Sequence, residues 1–165
     1  MSTFKHLVLV DDETDIGEIL SDMFVDKFEI ITTFSVGPEA FEFIRKTPTV
    51  SAIITDINMP NMNGDQLIRK LRAEGLQTPV FFLTGMATKE VILTALRLGV
   101  ADVFEKPFAI DVVTKGVERV LEIEKRKSDL INQILEGKAS PEELHKMKKM
   151  LGLLQVVNES QKKAS

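Results

Sequence analysis

Three carboxylates, a hydroxyl and an ammonium recur in this chain in the same kind of place, at the end of a short apolar run. Asp11 and Asp12 follow residues 4–10, Asp56 follows 52–55, Thr84 closes 80–84, and Lys106 follows 101–105. Taken singly, each has a plainer reading. Asp11 and Asp12 would serve as N-cap and first-turn acids of a helix, and Asp56 as a turn residue before Asn58-Met59-Pro60. Thr84 would cap the segment after it, and Lys106 would be a surface lysine. Taken together they are harder to set aside, because converging carboxylates repel one another unless a cation neutralises them. The chain has no cysteine and only two histidines, His6 and His145. A disulfide framework, a thiol nucleophile and a cysteine zinc site are therefore excluded. Any metal would be held by oxygen, which favours Mg²⁺ or a similar hard ion.

The elements that must position these groups alternate. Strand-like runs at 4–10, 28–34, 52–55, 80–84 and 101–105 are separated by segments with helical periodicity. The first, 14–25, places Ile16, Ile19, Leu20 and Met23 on one face. The second, 38–45, does the same with Ala40, Phe41 and Ile44. Gly64 opens a third helix with Leu67, Ile68 and Leu71, a fourth runs from 88 to 98 and stops at Gly99, and a fifth starts near Asp111. The strands read as continuous apolar runs, the signature of strands buried on both faces of a parallel sheet. The predicted fold class is α/β, with helices on both faces and the binding crevice at the carboxyl ends of the strands.

With 165 residues, 44% hydrophobic and 28% charged, the composition fits one globular domain with an appendage. No apolar run is long enough to span a bilayer and no signal-type segment opens the chain, so the expected address is the cytoplasm, away from membranes. Charge is divided unevenly. Residues 1–124 carry 12 Lys/Arg against 20 Asp/Glu, whereas 125–165 carry 9 against 5.

The stretches Asp11-Asp12, Asp56-Ile57-Asn58-Met59-Pro60-Asn61-Met62-Asn63-Gly64, Phe82-Leu83-Thr84-Gly85 and Ala101-Asp102-Val103-Phe104-Glu105-Lys106-Pro107-Phe108 resemble, in order and spacing, the receiver domain of bacterial two-component response regulators. The resemblance covers about residues 5–124 and implies a flavodoxin-like five-stranded parallel sheet of order 2-1-3-4-5. It implies further that Asp56 takes a phosphoryl group from a phosphohistidine on a sensor histidine kinase or phosphotransfer protein. Mg²⁺ would be bound by Asp12, Asp56 and the backbone carbonyl of Asn58, with Asp11 acting directly or through water. Lys106 and Thr84 would contact phosphoryl oxygens, while Thr84 and Phe104 would form the switch that alters contacts with a downstream protein. Lys106-Pro107 resembles the family's cis-peptide site.

Two positions depart from the family pattern. Phe104 lacks the hydroxyl of the tyrosine in many relatives, and Met86 is apolar where relatives often carry a polar residue that helps place the hydrolytic water. A competing enzyme reading, a phosphatase of the haloacid-dehalogenase type, needs a second aspartate two residues after the nucleophile as general acid/base. That position is Asn58, and an amide cannot shuttle the proton. The expectation is a phosphoacceptor, not a turnover enzyme.

The segment 125–165 lies outside the resemblance. The apolar pattern of the fifth helix resumes at Leu130, Ile131, Ile134 and Leu135, so that helix should overrun the receiver. After Gly137, Ser140-Pro141-Glu142-Glu143 reads as a capping box with proline at the first helical position. A sixth helix is expected near 141–158, with Leu144, Met147, Met150, Leu151, Leu154 and Val157 on one stripe. Such a stripe needs a cover, and a homodimer through the C-terminal helices or docking on the receiver is the expected one. The alternative is a small DNA-binding transcriptional regulator, favoured by the tail's positive charge. Against it, about forty residues is short for a helix-turn-helix unit and Arg126 is the tail's one arginine, so nucleic acid is not the expected partner.

Overall fold

A computed structural model describes residues 4–138, 140–143, 145–146 and 149. The order is β1 (Phe4–Val10), α1 (Thr14–Phe24), β2 (Phe28–Phe34), α2 (Gly37–Ile44), β3 (Val50–Asp56), α3 (Gly64–Ala73), β4 (Val80–Thr84), α4 (Lys89–Leu98), β5 (Asp102–Glu105) and α5 (Ile110–Leu135). The strands form one parallel sheet in the order β2-β1-β3-β4-β5. This is the flavodoxin-like arrangement the resemblance implied. Contacts divide the chain into residues 1–121 and 122–165, with α5 crossing the boundary.

Strand parity explains why the apolar runs are continuous. Val8, Val10, Ile53, Val80 and Phe82 face one side, where Ala40 and Ile44 of α2, Leu67, Ile68 and Leu71 of α3, and Ala95 of α4 cover them. Leu7, Leu9, Ala52, Ile54, Phe81 and Leu83 face the other, covered by Leu20 and Phe24 of α1 and Val113, Val117 and Leu121 of α5. Each fully buried Leu, Ile, Val or Phe contributes roughly 1.5–3 kcal/mol relative to exposure, so both helix layers are needed to keep the sheet out of water. The central strand β3 starts two residues earlier than its apolar run suggested and includes Asp56 as its last residue.

Helix ends are set by local chemistry. Asn63 and Gln66 form a reciprocal capping box at the start of α3, and the Thr88 side chain accepts from the Val91 N–H to start α4. Gly99, with φ +63°, ends α4 in the left-handed conformation that costs a residue without Cβ little. The guanidinium of Arg72 on α3 donates to the carbonyls of Leu76 (2.7 Å), Thr78 (3.1 Å) and Leu98 (3.1 Å), tying the last residue of α4 to the α3–β4 connection.

In residues 122–165, the described part of α5 carries Arg126–Glu122 and Lys127–Glu124 pairs and exposes Ile123, Ile131 and Leu135. Gly137 (φ +69°) follows it. The Ser140 hydroxyl accepts from the Glu143 N–H, while a Glu143 carboxylate oxygen accepts from both the Ser140 N–H and hydroxyl. The expected capping box is therefore formed, and residues 141–143, 145–146 and 149 are helical. Leu144, Met147, Met150, Leu151, Leu154 and Val157 lie outside the described residues. No helix among the described residues is long and apolar enough to cross a membrane.

Candidate functional site

The carboxyl ends of β1, β3, β4 and β5 bring the sequence-predicted groups to one edge of the sheet. Asp56 ends β3 and is 4% exposed, Asp11 follows β1 and is equally buried, and Asp12 is exposed beside it. Carboxylate oxygens of Asp11, Asp12 and Asp56 all lie within 4.8 Å of one another. The Lys106 ammonium reaches across from the end of β5 to Asp11 at 2.8 Å, Glu13 at 3.0 Å and Asp56 at 3.2 Å. The Lys106-Pro107 peptide is cis.

The electrostatics follow from this crowding. Burial draws protons off the Lys106 ammonium, but hydrogen bonds to Asp11 and Glu13 and the charges of Asp11 and Asp56 outweigh it, holding Lys106 above its ordinary range. Burial pushes the Asp11 carboxyl up. Hydrogen bonds from Lys106 and the Glu13 N–H oppose that push, and the charge of Asp56 reinforces it. Three carboxylates thus meet one ammonium, and Asp12 adds a fourth beside Asp11 and Asp56, leaving surplus negative charge in an all-oxygen donor set. That donor set fits a hard divalent cation. The Asn58 carbonyl, just beyond β3, accepts no hydrogen bond among the described residues, so it is available as a further oxygen ligand.

The loop that presents Asp56 has no spare room. The Ile57 N–H donates to Leu83 and the Gly64 N–H to Ile57, folding the turn back on the end of β3. A Cβ on Gly64 would stand 2.3 Å from the Asp56 carbonyl oxygen, and one on Gly37 would stand 2.7 Å from the Met62 carbonyl oxygen. Met59 and Met62 bury their side chains under the loop, and Asn61 takes φ +66° at its tip. The motif around Asp56 is therefore a backbone-packed clamp, and Gly64 matters as much for its missing side chain as for opening α3.

Thr84 is buried at the end of β4. Its hydroxyl donates to the Met86 carbonyl at 2.9 Å and accepts from the Met86 N–H at 3.2 Å. The strand register also places Phe104. Thr84 registers with Glu105 and Leu83 with Phe104, and side chains alternate faces along a strand. Phe104 consequently lies on the opposite face of the sheet from Thr84, stacked on Phe81 (6.1 Å between centroids) and buried among residues of α1 and α5. A Cβ on Gly116 would stand 2.7 Å from its ring, so α5 is hollowed to seat it. The β5 residues on Thr84's face are Val103 and Glu105. Val103 packs against the core beneath α3 and α4.

Two charged residues at the site escaped the sequence reading. Glu13 adds a carboxylate to Lys106, and Glu105 accepts a hydrogen bond from the Ala87 N–H at 3.1 Å. A surface glutamate beside an aspartate pair, or at the end of an edge strand, carries no periodic signal of its partner.

Comparison with known proteins agrees with this geometry. The profile of the response regulator receiver domain matches residues 7–118. The chain is 33% identical over 118 residues to a chemotaxis protein CheY homolog of Campylobacter jejuni, covering 70% of this chain and 91% of that one. It is 30% identical over 131 residues to the regulatory protein AtoC of Escherichia coli K12, covering 79% of this chain but 28% of AtoC. Response regulator SaeR of Staphylococcus aureus is 32% identical over 104 residues, 63% of this chain and 45% of SaeR. The solved structure of Vibrio cholerae chemotaxis protein CheY4 superposes with a TM-score of 0.66 at 27% identity, over 72% of this chain and 99% of that one. The chain belongs to the response regulator receiver family. It is a phosphoacceptor signalling domain of two-component systems, a class that works with histidine kinases and downstream targets and binds Mg²⁺ at an acidic pocket.

Proposed function

We propose that Asp56 is the aspartate that accepts the phosphoryl group, delivered by a phosphohistidine on a sensor histidine kinase or phosphotransfer protein in the cytoplasm. The observation that carries this reading is the ion pair between the buried Asp56 carboxylate and Lys106, at the end of the central strand. An Asp56 carboxylate oxygen attacks phosphorus in line, the phosphorus–nitrogen bond breaks, and the histidine nitrogen leaves with the electron pair. The Lys106 ammonium neutralises charge on a phosphoryl oxygen, and the Thr84 hydroxyl donates to another. Asp11, Asp12, Asp56 and the Asn58 carbonyl would hold Mg²⁺, which when bound supplies charge stabilisation at the transferring group. The result is a phosphoaspartate whose new hydrogen bonds redistribute the domain between two states.

Incubation of the full chain with Mg²⁺ and acetyl phosphate should add one phosphoryl mass, 80 Da by the chemistry of the reaction and so about 80 Da by mass spectrometry. Asp56→Asn should show none. A label that survives in Asp56→Asn excludes this assignment.

For residues 122–165 the reading is self-association. Ile131 and Leu135 are exposed on α5, and apolar side chains at this spacing gain by meeting a second copy. The downstream partner of residues 1–121 is a protein whose affinity depends on the phosphorylation state.

A further inference from the structure

The β4–α4 loop holds one peptide unit from both ends. The carbonyl of Met86 accepts the Thr84 hydroxyl at 2.9 Å, and the N–H of Ala87, the other half of that peptide, donates to Glu105 at 3.1 Å. A peptide is planar and rigid, so Thr84 and Glu105 grip a single plate. The Met86 carbonyl also accepts from the Thr88 N–H at 3.0 Å, and the Met86 N–H donates to the Thr84 hydroxyl at 3.2 Å. Gly85, Met86 and Ala87 are exposed, Met86 at 67%. Among the described residues no lysine or arginine pairs with Glu105, so the Ala87 N–H is its partner.

A hydroxyl has one proton to donate. In this geometry the Thr84 proton is committed to Met86, and it cannot also serve a phosphoryl oxygen on Asp56. Handing it over means giving up the Met86 carbonyl, and Glu105, by holding the Met86–Ala87 plate from the far side, keeps that carbonyl within reach of the hydroxyl as a competitor for its proton. Glu105 stands opposite Thr84 in the β4–β5 register, where its carboxylate reaches the loop without touching the acidic cluster. We propose that Glu105 is a positioning residue that latches the Met86–Ala87 peptide in the unphosphorylated geometry and so sets how readily Thr84 is released to the phosphoryl group. The proposal rests on Asp56 being the phosphoacceptor.

The test uses the full chain, ¹⁵N-labelled, titrated with beryllofluoride in the presence of Mg²⁺. Glu105→Ala should half-saturate at a concentration about threefold to tenfold below wild type, the worth of one loop hydrogen bond. Glu105→Gln keeps an acceptor at the same atom and should fall close to wild type. In the ligand-free protein, hydrogen exchange at the Ala87 amide should quicken in Glu105→Ala and stay slow in Glu105→Gln. Unchanged or weaker binding by Glu105→Ala, or unchanged Ala87 exchange, overturns the latch while leaving the phosphoacceptor reading intact. A wild-type chain that takes up no beryllofluoride overturns both.

Discussion

Residues 1–121 and 122–165 use the same kinds of side chain in opposite ways. In the first, both faces of the sheet are covered, the acidic groups are brought together against repulsion, and two glycines admit backbone where no Cβ fits. In the second, Arg126 pairs with Glu122 and Lys127 with Glu124 along the helix at one-turn spacing, and the larger apolar side chains Ile123, Ile131 and Leu135 remain exposed. The difference teaches where chemistry can reside. A site that holds like charges together needs a scaffold whose stability comes from elsewhere, and the doubly covered sheet of residues 1–121 is one.

A glycine exchange in each region breaks the comparison most sharply. Gly64→Ala would drive a methyl group into the Asp56 backbone, where nothing flexible can yield. We expect a loss of about 3 kcal/mol or more, with phosphorylation impaired as the Asp56 turn opens. Gly137→Ala meets open space and pays only for its left-handed φ, about 1 kcal/mol within its own segment. Urea denaturation followed by circular dichroism measures both. Equal effects would show that the clamp around Asp56 is softer than its distances imply.

Truncation after Arg126 sharpens the comparison. The shortened chain should keep the sheet, unfold cooperatively within a few degrees of the full chain, and still take one phosphoryl group from acetyl phosphate. Sedimentation should show a monomer, against a dimer for the full chain at tens of micromolar. A full chain that sediments as a monomer with and without beryllofluoride removes the self-association reading.

The smallest expected effect probes the foot of the sheet. His6 is buried at the start of β1, with Nε2 2.8 Å from the Thr32 hydroxyl and Nδ1 without a partner among the described residues. Burial lowers its proton affinity below the ordinary value of 6.5. The unfolded chain therefore takes up a proton near pH 6.5 that the folded chain refuses. Stability from this group is full above that pH and declines as pH falls toward the lower folded value. His6→Phe should flatten the decline in urea midpoint between pH 7 and pH 5.5, a change of less than about 1 kcal/mol.

Much of this architecture was legible because burial leaves a periodic trace. β1 from Leu7 to Val10 and β4 from Val80 to Leu83 are apolar at every position, since both faces are covered, and the residues that follow these runs are the polar ones that count. The trace fails where a strand is short or a side chain is polar. β5 has four residues, of which one is buried, too few for the sequence to show which face Phe104 takes. Glu13 and Glu105 were missed because each acts through one hydrogen-bond partner that is remote in sequence, Lys106 for the first and Ala87 for the second.

Arg72 gives α4 a fulcrum. Its guanidinium fixes the carbonyl of Leu98, while the other end of the helix hangs from the loop that Thr84 and Glu105 hold. Ten helical residues make a rod about 15 Å long, so a displacement of about 2 Å at Thr88 tips it by about 8°. Movement along such a lever scales with distance from the pivot. Leu93, midway, travels about half as far as Thr88 and Leu96 about a fifth. The exposed Ile92 and Leu93 thus sit where a small rearrangement at the sheet edge is still large enough for a partner to feel, whereas Leu96, more exposed but close to the pivot, offers grip that hardly changes.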